Sequence, residues 1–460
     1  YMSHLDEIAR IEDLDRRFVW HPFTQMKDWV QEAPVIIVEG RDCFLKDARG
    51  RWYLDGVSSL WVSVHGHRKK EIDDAVREQL DKVAHTTLLG LTNVPAVRLA
   101  EKLIGLTDRS FGGLSPRITK VFYSDNGSTA VEVALKMAFQ YWVHRGMVGK
   151  SAFLCLKNGY HGDTLGAVSV GGIDLFHQVF GPLLFKTYKA PSPYCYRCEL
   201  GKNESECAFA CLGEMERILE AHSGEIAAVI IEPLVQAAGG IIVAPEGYLR
   251  GVRELCSHYG VLMIADEVAT GFGRTGAMFA CEHERVVPDI MCLSKGITNG
   301  YLPLAATLCT DDIYESFLGE FSELKTFFHG HSYTGNPLAC ATASACIDVF
   351  DREGTLGNLA PKLSVMKDAL NAVHELLHVG DARSRGLIAG VELVRDKAST
   401  EPYPWEDKMG WKVAYKARER GVLIRPLGNV VVIMPPLSIG VENLARLMEV
   451  IRDAIEEVTS

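Results

Sequence analysis

An aspartate and a lysine, which can act together on an aldehyde, each follow a short apolar run of the chain. Asp266 and Glu267 follow residues 261–265, and Lys295 follows Ile290–Leu293 after one serine. A lysine amine forms an imine with an aldehyde, and an aspartate keeps a pyridine nitrogen protonated so that the ring accepts electrons. Each residue alone is typical of a solvated surface, and chemistry on an aldehyde cofactor needs further residues that bind its phosphate and its ring.

A third apolar run, residues 121–124, is followed by small polar residues that suit a phosphate. Residues 125–129 (Asp-Asn-Gly-Ser-Thr) open a long amphipathic segment that extends past Trp142. The first turn of a helix has free backbone N–H groups and the positive end of the helix dipole, and both attract phosphate. Gly127 and Ser128 are therefore candidate phosphate contacts, although an ordinary helix cap explains the same residues.

Two further runs end beside residues that can contact a flat ring. Tyr160 comes shortly after Ala152–Leu156, and Glu232 comes directly after Ile226–Ile231. The tyrosine can stack on a ring or cover the core, and the carboxylate can contact a cofactor hydroxyl or stay in solvent. Chance explains any one of these placements. Chance does not explain the whole set, in which residues suited to a phosphate, to a ring and to an aldehyde each follow one of the apolar runs.

All five runs are short and rich in branched apolar residues, and helix-length segments separate them. This alternation predicts an α/β fold with a mostly parallel sheet and helices on both faces. Ligands of such sheets bind beyond the carboxyl ends of the strands, so we expect the candidate residues to meet there.

The two ends of the chain show a different pattern, in which strand-like runs alternate with amphipathic helices. The predicted strands are 35–38, 43–47, 52–54, 387–393 and 430–434, and the predicted helices are 359–375, 406–420 and 441–458. We therefore expect a large central domain over residues 76–345 and a smaller α+β domain formed by residues 1–75 and 346–460.

The composition argues against several classes of protein. A net charge of -11 leaves no basic footprint for nucleic acid or an anionic membrane. No apolar run approaches the roughly 20 residues that a membrane-spanning helix needs. The chain begins with polar residues, Tyr1 to His4, and lacks the pattern of a signal peptide. We expect a cytoplasmic protein whose partners are small molecules.

Four cysteines form a group that the sheet pattern does not explain. Cys195, Cys198, Cys207 and Cys211 are spaced as two pairs, and such pairs occur in zinc sites. The spacing between the pairs is shorter than in common zinc modules, so zinc binding and a surface insertion with reduced cysteines are both open. We assign no metal to the catalytic chemistry.

A long segment resembles the cofactor signature of class III aminotransferases, which are fold type I enzymes that use pyridoxal 5'-phosphate. The segment is residues 264–276, and residues 288–290 and 294–296 complete it. The resemblance extends over essentially the whole chain. It implies a fold type I transferase with a large, mostly parallel sheet and pyridoxal 5'-phosphate as its cofactor.

The resemblance also implies a role for each candidate residue. Lys295 carries the cofactor as a Schiff base and then transfers protons at the substrate carbon. Asp266 pairs with the pyridine nitrogen of the cofactor, and Tyr160 stacks on its ring. Gly127 and Ser128 hold the phosphate.

The motif at residues 329–337 implies a contribution from a second subunit. Ser332 stands where the family usually has a threonine that reaches the phosphate of the neighbouring subunit, and serine keeps the hydroxyl. Gly330 is expected beside the substrate, and Glu232 is expected beside the cofactor. The resemblance therefore implies a homodimer with shared active sites.

Within the family, three segments resemble the branch that aminates 8-amino-7-oxononanoate in biotin biosynthesis, namely residues 20–26, 55–61 and 424–428 followed by 434–436. In that branch an arginine at the position of Arg425 binds the carboxylate of the oxo acid, and one at the position of Arg274 lines the same pocket. A guanidinium fork suits a carboxylate. A structural ion pair is the alternative for Arg425.

Two positions bear on the identity of the amino donor. Phe23 replaces a tyrosine, and Leu60 replaces a tryptophan beside Trp61, so a hydroxyl and an aromatic wall are missing. Aromatic faces attract cations, and both changes therefore weaken a pocket for the sulfonium of S-adenosylmethionine. Some members of the branch use lysine instead, and these two residues favour lysine over S-adenosylmethionine.

Two other functions are compatible with parts of the pattern. Another class III ω-aminotransferase, acting on a diamine or a β-amino acid, shares the cofactor residues. A non-catalytic protein that binds pyridoxal phosphate is the second alternative. It has no need to retain Lys295, Asp266, Arg274 and Arg425 together.

Overall fold

The computed structural model describes residues 4–202 and 207–460. Residues 1–3 lie outside the described residues. They include most of the polar residues Tyr1 to His4 and the beginning of the predicted segment 1–75. Within the part of the chain that is described, no helix has the length and apolar character needed to cross a membrane.

The strands of the described residues are short, and most are separated by helices. In chain order they are β1 (Ile37–Arg41), β2 (Phe44–Asp47), β3 (Trp52–Asp55), β4 (Ile118–Ser124), β5 (Ala152–Leu156), β6 (Thr187–Ala190), β7 (Ile226–Ile231), β8 (Val235–Gln236), β9 (Ile242–Val243), β10 (Leu262–Asp266), β11 (Ile290–Leu293), β12 (Ala305–Thr310), β13 (Val379–Arg385), β14 (Ile388–Asp396), β15 (Glu401–Pro402), β16 (Val422–Leu423), β17 (Arg425–Leu427) and β18 (Val430–Ile433).

The helices range from single turns to five turns. They are α1 (His4–Phe18), α2 (Met26–Trp29), α3 (Ser58–Trp61), α4 (Lys70–Leu80), α5 (Val94–Phe111), α6 (Gly127–His144), α7 (Leu165–Ser169), α8 (Asp174–His177), α9 (Ala210–His222), α10 (Tyr248–Tyr259), α11 (Asp311–Ser316), α12 (Pro337–Glu353), α13 (Ala360–His374), α14 (Met409–Glu419) and α15 (Val441–Thr459).

A seven-stranded sheet forms the centre of the molecule, with the strand order β4-β12-β11-β10-β7-β5-β6. Strands β11, β10, β7, β5 and β6 are parallel neighbours, whereas β12 is antiparallel to both β11 and β4. The five runs predicted as strands, β4, β5, β7, β10 and β11, therefore all point the same way. The prediction of a mostly parallel sheet is confirmed. The sequence analysis did not predict strand β6 or the antiparallel strand β12.

Four central strands are apolar at every position except Asp266, the last residue of β10, because both faces of the sheet are covered. Every residue of β5, β7, β10 and β11 is buried. Along β10, Ile264 packs into the core beneath α6, while Met263 and Ala265 pack into the core that includes α5, α10 and α12. Side chains alternate between the faces of a strand, so one continuous apolar run supplies both cores.

Segments from the two ends of the chain share one sheet. The four-stranded sheet has the order β1-β2-β3-β16, and Val422 of β16 pairs in parallel with Leu54 of β3. A second sheet, β13-β14-β18-β17 with β15 beside β14, lies entirely in the C-terminal part. The mixing of both ends agrees with the predicted architecture, while the domain limits at residues 75 and 345 stay predictions.

Candidate active site

A cavity of about 660 Å³ lies beyond the carboxyl ends of the parallel strands. Residues that follow β4, β5, β7, β10 and β11 line it together, as the strand-end rule predicts. Asp266 and Lys295 are brought to the same cavity because β10 and β11 are parallel neighbours, with Asp266 level with Cys292. The cavity therefore assembles residues that lie far apart in the sequence.

One end of the cavity is formed by the start of α6. The Asn126 side chain caps this helix and accepts from the backbone N–H of Thr129 at 3.1 Å. The backbone there approaches the loop after β5 closely, since a Cβ on Gly162 would lie 1.9 Å from Ser128 Oγ. Gly162 also has a positive φ of 117°. Gly127 and Ser128, the first two residues of α6, thus line the cavity, and there is no room for a side chain at position 162.

Tyr160 lines the cavity and is held from two sides. Its hydroxyl donates to Asp163 Oδ2 at 2.7 Å, and its ring lies parallel to that of His177, with the centroids 6.2 Å apart and 9° between the planes. Burial raises the pKa of the Tyr160 hydroxyl, and the hydrogen bond to Asp163 adds to the rise. The ring is therefore neutral and fixed in orientation, as a stacking surface requires.

Asp266 forms a buried pair with a histidine that the sequence analysis did not assign. His161 Nδ1 lies 2.7 Å from Asp266 Oδ2, and both residues are 4% exposed. The backbone N–H of Val268 donates to the other carboxylate oxygen at 3.1 Å. Two contacts thus fix the carboxylate. The sequence signal for His161 was its place directly after Tyr160, in the turn that follows β5.

Glu232 is buried beside this pair. Its carboxylate accepts from the backbone N–H groups of Tyr160 at 3.0 Å and Ala237 at 2.9 Å. Burial raises the pKa of Glu232 to about 7; His161 opposes the rise and Asp266 adds to it. Both carboxylate oxygens already have partners in the chain, so Glu232 ties the turn after β5 to the segment after β7.

Lys295 follows β11 and adopts a left-handed backbone conformation, with a φ of 46°. Its ammonium lies over the ring of Trp61, 5.0 Å from the centroid. Burial lowers the pKa of Lys295, while the carboxylates of Asp266 and Glu232 oppose that shift. A neutral amine is the nucleophilic form of lysine, and burial favours it here.

Trp61 and Leu60 belong to α3, which is a single left-handed turn rather than a regular α-helix. The φ values of Ser58, Ser59, Leu60 and Trp61 are 52°, 47°, 72° and 69°. The Asp55 carboxylate anchors the turn by accepting from the N–H and the hydroxyl of Ser59 at 3.0 and 2.8 Å. The turn sends Trp61 into the cavity and leaves Leu60 55% exposed.

Arg274 lies in the interior and does not line the cavity. Its guanidinium donates to the backbone carbonyls of Ser63 and Pro435, and the residue is 1% exposed. Burial lowers its pKa to about 9, and Asp55 opposes that shift. In this structure Arg274 joins the segment after Trp61 to the C-terminal part of the chain, and the predicted substrate contact stays a prediction.

Arg425 lies outside the cavity lining, beside Phe23. Its guanidinium donates to the carbonyl oxygen of Phe23 at 3.4 Å and lies 5.5 Å from the ring centroid of Trp411. Burial lowers the pKa of Arg425, and no carboxylate of the described residues forms a salt bridge with it. Phe23 itself is 57% exposed.

Two predicted residues are exposed and do not line the cavity of their own chain. Gly330 and Ser332 lie on the surface after β12. A role for Ser332 at the phosphate therefore depends on a second copy of the chain.

Phe176 was not predicted at all. Its ring contacts those of Phe23 and Tyr160 edge-on, with the centroids 5.3 and 6.3 Å away. It is part of the four-residue helix α8, and no motif in the sequence marks it. Its placement beside two residues from distant parts of the chain arises only in the folded molecule.

The four grouped cysteines lie away from this cavity. Cys195, Cys198, Cys207 and Cys211 all line one small cavity of about 10 Å³, and none forms a disulfide. Burial raises the pKa of the Cys211 thiol to about 11. In residues 4–202 and 207–460, no three or more His, Cys, Asp or Glu side chains are grouped so as to hold a metal ion.

Comparisons with known proteins agree with this geometry. The family model described as aminotransferase class-III matches residues 25–455. The adenosylmethionine-8-amino-7-oxononanoate aminotransferase of Geobacter sulfurreducens is 56% identical to the chain, and the match covers 98% of both chains.

Solved structures extend the agreement to three dimensions. The crystal structure of the enzyme of the same name from Methanocaldococcus jannaschii is 47% identical, with a TM-score of 0.91, and covers 98% of this chain and 99% of its own. An amine transaminase from an uncultivated Pseudomonas species is 36% identical, with a TM-score of 0.90 and coverage of 96% and 98%. The predicted fold class and the class III resemblance are confirmed.

Proposed function

The chain belongs to the class III aminotransferase family, and from this premise we propose that it transfers an amino group to 8-amino-7-oxononanoate, giving 7,8-diaminononanoate for biotin synthesis. The observation that carries the proposal is the meeting of Lys295 and Asp266 in one cavity, at the ends of two adjacent parallel strands. Relatives named for this acceptor are 56% and 52% identical over nearly the whole chain. The amine transaminase structure is 36% identical, which favours the oxononanoate acceptor over a simple amine substrate.

The residues around the cavity fit pyridoxal phosphate, on which class III aminotransferases depend. The start of α6 provides backbone N–H groups, and Gly162 leaves a cradle that a Cβ would fill. Asp266 is a buried carboxylate without a lysine or arginine salt-bridge partner among the described residues, which suits a protonated pyridine nitrogen. We assign the phosphate to Gly127 and Ser128, the ring face to Tyr160 and the ring nitrogen to Asp266.

When bound, the cofactor supplies an aldehyde that accepts nitrogen and a ring that accepts an electron pair. The chain contributes the proton transfers. Lys295 is the only amine among the described residues that line the cavity. Its lowered pKa makes Nζ available as a base. We therefore assign to Lys295 Nζ the removal and return of the proton at the substrate carbon that exchanges its amino group.

The residues around Lys295 and Asp266 orient these two side chains and exclude water from them. His161 and the N–H of Val268 fix the carboxylate of Asp266, so its charge does not need to reorganise during the reaction. Trp61 covers one side of Lys295 and keeps water from the amine. Arg425 is the cation that we assign to the distal carboxylate of the acceptor, since its guanidinium has no salt-bridge partner among the described residues.

Two donors are compatible with the site, and their half-reactions separate them. The relatives are named for adenosylmethionine, whereas Phe23 and Leu60 lack the hydroxyl and the aromatic wall that favour a sulfonium. We propose lysine. The holoenzyme is titrated with each donor while the absorbance of the cofactor is followed, and lysine is expected to bleach the band of the aldehyde form.

Addition of 8-amino-7-oxononanoate to the bleached enzyme should then restore the band. Bleaching by S-adenosylmethionine alone would reverse the assignment of the donor. Failure of the oxononanoate to restore the band, while a simple oxo acid does so, would replace the proposed acceptor by that of another ω-aminotransferase.

We further propose that the enzyme is a homodimer with shared active sites. The segment after β12 carries exposed apolar side chains, namely Phe321, Leu324, Phe328 and Tyr333 at 96%, 67%, 71% and 62% exposure. Several large apolar side chains exposed on one segment are typical of an interface between subunits. Ser332 is an exposed residue of the same segment, and we assign its hydroxyl to the phosphate site of the partner.

A further inference from the structure

A continuous series of contacts leads from the cofactor cavity to Arg425. Tyr160 lines the cavity, and Phe176 contacts its ring at 6.3 Å. Phe23 contacts Phe176 at 5.3 Å, and its carbonyl accepts from Arg425 at 3.4 Å. The rings of Phe176 and Phe23 therefore connect the cavity lining to the residue that this guanidinium contacts.

Phe176 is held rigidly against the end of β5. The segment that leads into α8 forms two backbone hydrogen bonds with the turn after β5, from Gly172 N to the Gly159 carbonyl at 2.8 Å and from Asn158 N to the Gly172 carbonyl at 2.9 Å. A Cβ on Gly172 would lie 2.3 Å from the Leu156 carbonyl oxygen. The chain is therefore held close to the end of β5 at Gly172, two residues before α8 begins.

His177 adds a second anchor within α8 itself. Its Nδ1 accepts from the backbone N–H of Ile173 at 3.2 Å, and its buried ring lies parallel to that of Tyr160. The ring of Phe176, one residue earlier, is only partly buried. An apolar surface that is both fixed and accessible is suited to binding rather than to filling the core.

The acceptor of the proposed function has the chemistry that such a surface would recognise. It carries a carboxylate at one end, a reacting ketone near the other and a run of methylene groups between them. We infer that Phe176 is a specificity-determining residue that packs against these methylene groups between Arg425 and the cavity. The inference rests on the proposed function and extends it from the reacting ends of the acceptor to its apolar middle.

The inference predicts a change in the affinity for the acceptor. Replacing Phe176 by alanine removes most of the apolar contact, and a contact of this size is worth roughly tenfold or more in discrimination. We expect the KM for 8-amino-7-oxononanoate to rise about tenfold with little change in kcat, because the methylene contact is the same in ground and transition states. The donor half-reaction should keep its rate.

The experiment compares three variants of the holoenzyme. Phe176→Ala removes the ring, Phe176→Leu keeps an apolar side chain, and Leu175→Ala changes a neighbour on α8 that is 65% exposed. Steady-state kinetics give KM and kcat for the acceptor, and a spectral titration gives its affinity independently. The expected order of KM values is Phe176→Ala above Phe176→Leu, with Leu175→Ala equal to the parent.

Two outcomes overturn the inference. An unchanged KM in Phe176→Ala shows that the ring does not contact the acceptor, and an equal rise in Leu175→Ala shows a general disturbance of α8. A fall in kcat for the donor half-reaction would instead make the residue a support for Tyr160. Turnover of the oxononanoate by the parent enzyme, measured in the same series, tests the proposed function separately.

Discussion

At the scale of single residues, burial sets the chemistry of the site. Lys295 and Glu232 are both enclosed by protein, and burial shifts their pKa values in opposite directions, since it disfavours the charged form of each. The carboxylate of Asp266 has a protein partner on each oxygen, in His161 and in the backbone of Val268. The result is an amine that is easily deprotonated beside an acid held in place.

Replacing Lys295 by alanine tests the assigned base. We expect the rate of transamination to fall about a thousandfold or more, since both the covalent link and the proton transfer are lost. Lys367→Ala, an exposed lysine of α13, is the matched control and should keep full activity. Reduction of the holoenzyme with borohydride followed by peptide mapping should mark Lys295, and an unmodified Lys295 in cofactor-saturated protein would exclude the assignment.

Glu232 makes the stability of the chain depend on pH in a defined direction. Its pKa is raised from 4.5 to about 7 in the folded chain, so the folded state holds the proton more tightly than the unfolded state. The contribution of Glu232 to the free energy of unfolding therefore falls as the pH rises from 4.5 to about 7 and is level above that. Glutamine does not ionise, so Glu232→Gln lacks this pH-dependent contribution to the free energy of unfolding.

We expect the free energy of unfolding of Glu232→Gln to rise relative to the parent by about 3 kcal/mol between pH 4.5 and pH 8. Urea unfolding of the cofactor-free proteins at several pH values measures this difference. Glu449→Gln, on the exposed face of α15, should follow the parent at every pH. Parallel curves for Glu232→Gln and the parent would contradict the predicted linkage.

At the scale of elements, turns rather than regular structure shape the cavity. The start of α6 faces the turn after β5 so closely that position 162 admits only glycine. The left-handed turn from Ser58 to Trp61 brings an indole over Lys295, and Asp55 anchors it. Such conformations are costly for residues other than glycine, and they persist where surrounding contacts impose them.

Gly162→Ala should reduce the affinity for pyridoxal phosphate at least tenfold. The new methyl group would lie 1.9 Å from Ser128 Oγ and would push the start of α6 away from its position. Gly146→Ala is the matched control, because Gly146 also has a positive φ, of 77°, but has open space around it. It carries the same kind of backbone strain without the collision.

The affinities of the two apoproteins for pyridoxal phosphate are measured by titration, followed by fluorescence or absorbance. An equal loss of affinity in both variants would mean that backbone strain, and not the narrow cradle, governs binding.

At the scale of the whole molecule, the two ends of the chain hold the site together. Strand β16 pairs with β3, Ser58 Oγ donates to the carbonyl of Met434 at 2.6 Å, and Arg274 joins Ser63 to Pro435. Trp61 therefore keeps its place only when the C-terminal part is folded against the N-terminal part. The proposed dimer extends this dependence, because Ser332 is assigned to the site of the partner.

Mixing two inactive variants tests the shared site. Lys295→Ala lacks the base, and Ser332→Glu puts a negative charge where the partner's phosphate is expected to lie. In a mixed dimer, the Lys295→Ala subunit supplies an intact Ser332 to the other subunit, so one active site is complete. We expect the mixture, after exchange of subunits, to regain up to about a quarter of the parent activity from random pairing.

Each variant alone should stay inactive under the same conditions. A mixture that remains inactive, although size-exclusion chromatography and mass spectrometry show mixed dimers, would remove Ser332 from the partner's site.

The sequence by itself determined five of the seven strands of the central sheet and the candidate residues that follow them. Five apolar runs predicted β4, β5, β7, β10 and β11 within a few residues, because strands in a sheet with covered faces are largely apolar. The strand-end rule then placed Lys295, Asp266, Tyr160 and Gly127 at one cavity. Such local patterns are visible without the fold, since each strand and the turn after it are adjacent in the chain.

Only the tertiary structure decided which side chains meet across the cavity. The pair of His161 with Asp266 spans 105 residues, and the contact of Phe176 with Phe23 joins a short helix to the N-terminal segment. Arg274 has the residue type of a carboxylate ligand but donates to two backbone carbonyls in the interior. These contacts depend on how segments that are distant in the sequence pack against each other. The periodicity and spacing of residues within one segment do not determine its distance from another segment.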